Sequence, residues 1–242
     1  RMDIMTNNLA NASTVGYKKE GSTSQSFDDV LTVKIKDQSV GMRNAQKIGI
    51  KNPGVKIGEN YTDYSQGSFR ITGNTYDLAL SGEGFFAIEF TNKAGETDTK
   101  YTRAGQFTLN KDGYLVTEEG DYVLDTQNRR IRLNTLIDSS ITDDGTIYQN
   151  GQAMAKIQVT DFADYDYLEK YGETYYQPIQ GAQTIASNAQ VKSGYLEMAN
   201  VQIVSEMVNL ISITRAYESN QKVVQTIDDT LDVAVNQIGR VQ

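Results

Sequence analysis

Between Tyr195 and Gly239 the chain runs without a glycine or proline, and positions 203, 207, 210, 214, 217, 221, 224, 228, 231, 235 and 238 alternate in steps of four and three. Eight of these eleven positions are apolar or aromatic: Ile203, Met207, Leu210, Tyr217, Val224, Leu231, Val235 and Ile238. A seam sustained over five heptads predicts one long helix with a single sticky face. From 203 to 238 it would measure about 54 Å. Burying the eight seam residues is worth roughly 12–24 kcal/mol as an upper bound, and leaving them in water invites association. Two packings satisfy such a seam, a core helix of an α+β domain or a coiled coil made by the two chain ends. Its length and terminal position favour the coiled coil.

The other chain end offers a partner. Met2, Met5, Leu9 and Ala12 lie at steps of three, four and three, which predicts an amphipathic helix over residues 2–12, about 16 Å long. No capping residue precedes Met2, so this helix is expected to begin upstream of Arg1. It is too short to cover the seam, so the rest must pair with missing upstream residues, with the β body or with other molecules. The chain alone is accordingly expected to be largely monomeric. Asn7, Asn8 and Asn11 weaken the helix, because their amides compete for backbone hydrogen bonds, and Gly16 ends it. Such amides suit contacts across subunits, or local capping at a frayed end around Asn11 to Thr14.

The middle of the chain reads as β. GQFTLNKDGYLVTEEGDYVLD breaks at Asp112-Gly113 and Glu119-Gly120, YDLALSGEGFFAIEF turns at Ser81 to Gly84, and DDGTIYQNGQAMAKIQVTDF turns at Gly145 and Asn150-Gly151. Short aromatic and branched runs cut by such turns predict hairpins. Fifteen tyrosines and two prolines suit a β-rich body. The segment 21–59 is polar with weak periodicity and reads as an extended connector with one or two strands. The expected class is α+β, a mainly-β central body inserted between N- and C-terminal helices that form a coiled coil. The expected divisions are an N-terminal helix (1–20), the connector (21–59), an outer β domain (60–192) and the C-terminal coiled-coil helix (193–242).

Composition narrows the chemistry. The chain has no cysteine and no histidine. Disulfides, thiolate metal sites and Ser-His or Cys-His catalysis are thereby excluded. A net charge of −8 leaves no basic surplus for nucleic acid. No apolar run approaches the ~20 residues that span a bilayer, and no basic region followed by an apolar core marks a signal peptide. Gly82-x-Gly84-x-x-Ala87 imitates a dinucleotide fingerprint, but Phe85 to Phe90 is strand chemistry where a helix is required. Asn110, Asp112, Gly113 and Glu119 partly imitate a calcium loop, but Thr108 stands where its first carboxylate belongs. Glu118-Glu119 and Asp143-Asp144 could serve a glycosidase. Each pair adjoins a turn glycine, where carboxylates are ordinarily just solvated. No cofactor, metal or small-molecule substrate is expected. A secreted β-rich carbohydrate-binding protein or glycosidase is the alternative, and a closed coiled-coil oligomer a further one.

Four segments then carry a resemblance. NNLANASTVGYKK, ITGNTYDLALSGEGFFAI, YTRAGQFTLNKDGYLVTEEG and SGYLEMANVQIVSEMVNLISITRAYESNQKVVQTIDDTLD resemble, in order, the signature segments of the bacterial flagellar axial proteins, the rod and hook family. The length is similar to that of rod rather than hook proteins. The resemblance implies a structural subunit exported through the flagellar type III apparatus. It also implies terminal helices forming an inner tube, an outward β body and head-to-tail addition along an open helix. Copies of the chain and other rod or hook proteins are the implied partners, and the basal body the implied location. Asn7, Asn8, Leu9, Asn11, Gly16 and Tyr17, with the C-terminal seam, are the expected assembly residues.

Overall fold

Phe85, Phe86, Ala87 and Ile88 are all fully buried, which consecutive strand residues achieve only when both sheet faces are covered. They open the strand Phe85–Thr91 at the centre of the fold, in a computed structural model that describes residues 1–28, 30–34, 46–52, 54–92 and 95–236. The period-two alternation of this strand divides the core. Phe86 packs with Leu78, Phe107, Leu115, Ile131 and Ile157, whereas Phe85 and Ala87 pack with Tyr101, Leu124, Phe162 and Tyr176.

One edge of Phe85–Thr91 forms a hairpin with Thr97–Thr102, from Phe86 opposite Thr102 to Thr91 opposite Thr97. The other edge takes Val159–Phe162 and then Tyr122–Val123. Around this strand a nine-stranded antiparallel sheet runs from Leu168–Tyr171 and Tyr175–Pro178 at one side to Leu115–Thr117 and Phe107–Leu109 at the other. Ser139–Ile141, Thr146–Gln149 and Gln152–Lys156 make a separate three-stranded sheet. The turn chemistry is as its residues dictate. Asn150 and Gly151 have φ of 50° and 77°, the signs that a two-residue type I′ hairpin demands. The Asn110 side-chain oxygen accepts the N–H groups of Asp112 and Tyr114 at 3.0 and 2.8 Å, so that oxygen serves the hairpin turn.

Two stretches differ from expectation. Residues 21–59 hold more than one or two strands: Glu20–Ser26 pairs with Val55–Thr62, and Val30–Lys34 pairs with Gln46–Lys51. The first pair exposes most of both strands, so no buried face imposes the alternation that betrays a strand. The division expected to be helix from residue 193 starts instead with a strand, Tyr195–Glu197, which pairs with Phe69–Ile71, and the helix begins at Ile203. The centre of the connector and Ile238 lie outside the described residues.

The α-helices among the described residues are α1, Met2–Ala10, and α2, Ile203–Asn236. α1 lies against α2 near its start, but it spans about 14 Å against about 51 Å. Among the described residues of α2, Glu206 is buried, and every residue from Arg215 to Asn236 is exposed. The helix is therefore not a core helix of the β body, and the architecture is α+β with a helix at either end.

The second core is rich in phenols. The Tyr64 ring lies 4.9 Å from Tyr165 and 5.4 Å from Tyr176, and Phe85 packs at 5.8 Å on Tyr165. Burial pushes the Tyr64 hydroxyl up to about 12 and also raises those of Tyr17, Tyr101, Tyr165, Tyr175 and Tyr176. These groups stay protonated in the fold but ionise near pH ~10 when the chain unfolds, so stability is full below that pH and falls as pH rises above it. Phenolate absorbance should therefore rise in two stages, exposed tyrosines first and these six together with loss of near-ultraviolet circular dichroism.

Candidate assembly site at the junction of the chain ends

Gly16 is where the N-terminal segment crosses the body. Its φ is +70°, and a Cβ there would stand 2.3 Å from the Ala104 backbone nitrogen. Only glycine fits both demands. The crossing is tied to the other chain end, since the Gly16 N–H donates to the Glu197 carbonyl at 2.8 Å and Val15 bridges to Met198. Tyr17 is then fully buried, with its hydroxyl donating to Asn8 Oδ1 at 3.1 Å. Asn8 is itself 1 % exposed. It also accepts the Glu20 N–H at 2.9 Å and donates to the Glu20 carbonyl at 2.8 Å, so its amide staples α1 to the first ribbon strand.

Behind Tyr17 sits a buried cluster of charges. Lys18, Arg103 and Glu197 are 1 %, 3 % and 0 % exposed. Glu197 Oε1 receives Lys18 Nζ at 2.7 Å and the Gly67 N–H at 2.9 Å, while Oε2 faces Arg103 Nη1 at 3.3 Å. Lys18 also donates to the Ser65 carbonyl at 2.7 Å, and Arg103 Nη2 to the Gly82 carbonyl at 2.9 Å. Burial lowers the Lys18 pKa, and the Glu197 charge opposes that shift. A second tier secures the root of α2. Lys19 Nζ pairs with Glu206 at 2.6 Å, and the Lys19 N–H donates to Asn200 Oδ1 at 2.7 Å. Asn200 Nδ2 in turn donates to the Asp63 carbonyl at 2.7 Å.

The residues singled out in the sequence thus fall into two groups. Asn8, Gly16 and Tyr17 are buried and partnered within the chain. Asn11 donates to Asn7 Oδ1 at 2.6 Å and to Glu173 Oε2 at 2.7 Å, again within the chain, and Leu9 is half-buried. The seam is presented to solvent: Ile203, Met207, Tyr217, Val224, Leu231 and Val235 are exposed and Leu210 half-buried. Sequence reasoning assigned no role to Lys18, Arg103, Glu197, Asn200 or Glu206. The available signals were the Lys18-Lys19 pair just after a turn glycine, and a carboxylate, Glu206, between the seam positions 203 and 207.

The acidic pairs sit in turns. Asp144 accepts from the Thr142 and Thr146 hydroxyls, which hold its carboxyl down at about 2. Glu119 and the neighbouring Asp121 both lie within hydrogen-bond reach of the Tyr175 hydroxyl, at 3.1 and 2.9 Å. Two substitutions test the crossing. Gly16→Ala should cost about 1–3 kcal/mol through the forced left-handed residue and the backbone collision. Asn8→Ala should cost about 1–3 kcal/mol for each buried group it leaves without a partner. Urea titration of the purified chain measures both.

Three stretches of the chain match known protein families. Residues 192–238 match the family described as "Flagellar basal body rod FlgEFG protein C-terminal". Residues 79–151 match "Flagellar hook protein FlgE/F/G D1 domain", and residues 1–18 match "Flagella basal body rod protein". The flagellar basal-body rod protein FlgG of Bacillus subtilis is 34% identical, with 98% of this chain and 92% of that protein covered. The FlgF rod protein of Caulobacter vibrioides is 31% identical over 99% and 92% of the two chains. The FlgG rod protein of the same organism is 33% identical over 95% and 90%. With identity at this level along nearly the whole chain, the protein belongs to the flagellar basal-body rod family.

Proposed function

We propose that the chain polymerises head to tail with copies of itself into a hollow helical shaft that transmits torque and lines an export channel. Membership of the rod family makes it a structural protein of the flagellar basal body rather than an enzyme, and its partners are itself and other rod and hook proteins. The observation that carries the finer reading is the exposed seam on α2. About 50 Å of helix presents Met207, Tyr217, Val224, Leu231 and Val235 to water, far more apolar surface than an isolated subunit has reason to expose. In the shaft this seam forms a coiled coil with α1 and with the helices of neighbouring copies, and the β body faces outward. The contact is heterologous, so addition continues along a helix instead of closing.

Within this reading Ile203, Met207, Leu210, Tyr217, Val224, Leu231, Val235 and Ile238 are the assembly residues of α2. Asn7 and Leu9 of α1, with Asn11 just after it, are those of the N-terminal end, while Asn8, Gly16 and Tyr17 act indirectly, by holding the segment where the chain leaves the helices. The divisions at residues 20, 59 and 192 then separate tube, connector and outer domain. Delivery through the flagellar type III export apparatus belongs to the same reading.

Each buried leucine of a seam contributes about 1.5–3 kcal/mol, and a lysine there brings a charge that must be desolvated. Leu210→Lys with Leu231→Lys should therefore abolish incorporation into the rod while the purified chain keeps its near-ultraviolet circular dichroism. Electron microscopy of basal bodies and a motility assay measure the outcome; normal rods and swimming would refute the seam's role.

A further inference from the structure

The turn between the strands Leu115–Thr117 and Tyr122–Val123 carries two carboxylates that reach across the sheet to Tyr175, with Phe85–Thr91 and Thr97–Thr102 lying between. Glu119 Oε2 and Asp121 Oδ2 stand 3.1 and 2.9 Å from the Tyr175 hydroxyl oxygen, and Thr117 Oγ1 stands 3.2 Å from it. Thr117 and Tyr175 are buried, Asp121 is half-buried and Glu119 exposed. Each hydroxyl brings one hydrogen to this junction, and an ionised carboxylate brings none. Thr117 Oγ1 already accepts the Asp121 N–H at 3.2 Å, so its own hydrogen goes to the Tyr175 oxygen. Tyr175 is then left with a single hydrogen for two carboxylates. With both ionised, one carboxylate oxygen faces the phenolic oxygen at hydrogen-bond distance with no hydrogen between them, beside a second like charge. A proton on one carboxyl removes both defects, because it donates to the remaining lone pair of the Tyr175 oxygen. We propose that Glu119, Asp121 and Tyr175 form a proton-operated clasp. With one proton bound, both carboxyls fasten the turn to the strand Tyr175–Pro178. With it lost, Asp121 keeps the Tyr175 hydrogen and Glu119 lets go into water.

The surroundings place the proton on Asp121, the more enclosed of the two. Burial raises its pKa, the hydrogen bonds from Tyr175 and the Thr91 N–H oppose that shift, and the Glu119 charge adds to it. Among the described residues neither carboxylate makes an ion pair. Arg70 and Glu118 line the recess onto which Glu119 opens. Lys100, from the strand Thr97–Thr102, is turned to the rings of Phe90 and Tyr171 and donates to Gln177. The turn itself is closed by its backbone, since the Thr117 N–H donates to the Asp121 carbonyl at 2.8 Å and the Gly120 N–H to the Thr117 carbonyl at 3.1 Å. The proton therefore governs how the turn is tied to the sheet and leaves the turn's own shape alone. A carboxyl whose pKa is higher in the fold than in the unfolded chain contributes stability that is complete below its ordinary value and is lost as pH rises through the raised one. The clasp is accordingly shut in mild acid and open at neutral pH.

The clasp lies wholly within the β body, so the purified full chain tests it, and the outcome is independent of polymerisation. Carboxyl-carbon nuclear magnetic resonance on the chain labelled at aspartate and glutamate follows each group from about pH 3 to pH 8. Asp121 should titrate about one unit or more above the ordinary aspartate value of about 3.9. The Glu119 resonance should show a second inflection at the Asp121 midpoint, as its side chain lets go. Glu119→Gln carries an amide that supplies the missing hydrogen at every pH. There the Asp121 midpoint should fall by about one unit, a tenfold loss of proton affinity. Tyr175→Phe removes the shared hydroxyl, and the second inflection of Glu119 should shrink by about half or more. An ordinary Asp121 midpoint in the unaltered chain would overturn the clasp. So would an unchanged midpoint in Glu119→Gln, which would assign the shift to burial alone, or an undiminished Glu119 inflection in Tyr175→Phe.

Discussion

Glu197 ties the N-terminal crossing and the root of α2 to the central sheet. A fully buried carboxylate is among the most costly groups a fold can enclose, and it persists only with partners that neutralise and hydrogen-bond it. Here the partners come from residue 18, near one chain end, and residue 103, in the central sheet. Everything distal depends on this pairing. The N-terminal segment can cross at Gly16 only because the strand carrying Glu197 lies beside it. Lys19, Asn200 and Glu206 continue the same contact outward to the root of α2.

The asparagines of NNLAN illustrate how one residue type divides its labour. In a lone helix all three are unfavourable. In the folded chain Asn8 satisfies three polar groups in a buried setting. Asn7 and Asn11 bond each other, and Asn11 reaches Glu173 on the body. Helix propensity is traded for placement of the crossing.

For a rod subunit, this division suits a mechanical part. The β body gains rigidity from two cores packed on opposite faces of one strand, Phe86 on one side and Phe85 with Ala87 on the other. The seam of α2 is left for association. Between them lies the buried cluster of Lys18, Arg103 and Glu197.

The legible parts of this protein were those whose signal is local. The long C-terminal helix, the hairpins at Asn110 to Gly113 and Asn150-Gly151, and the two strands on either side of Gly82 to Gly84 are set by short-range periodicity and turn chemistry, and each appears where the sequence places it. The ribbon within 21–59 was illegible because no buried face imposes alternation on it. Tyr195–Glu197 was illegible because three residues are too few to separate strand from helix start. The charge cluster was illegible for a deeper reason: Lys18 and Glu197 are 179 positions apart, and no periodicity connects them. Sequence alone determined the two terminal helices, the strands and hairpins with local turn signals, and the family they compose. Only the tertiary structure decided which amides and charges are buried, because burial of a polar group depends on what the rest of the chain brings to it.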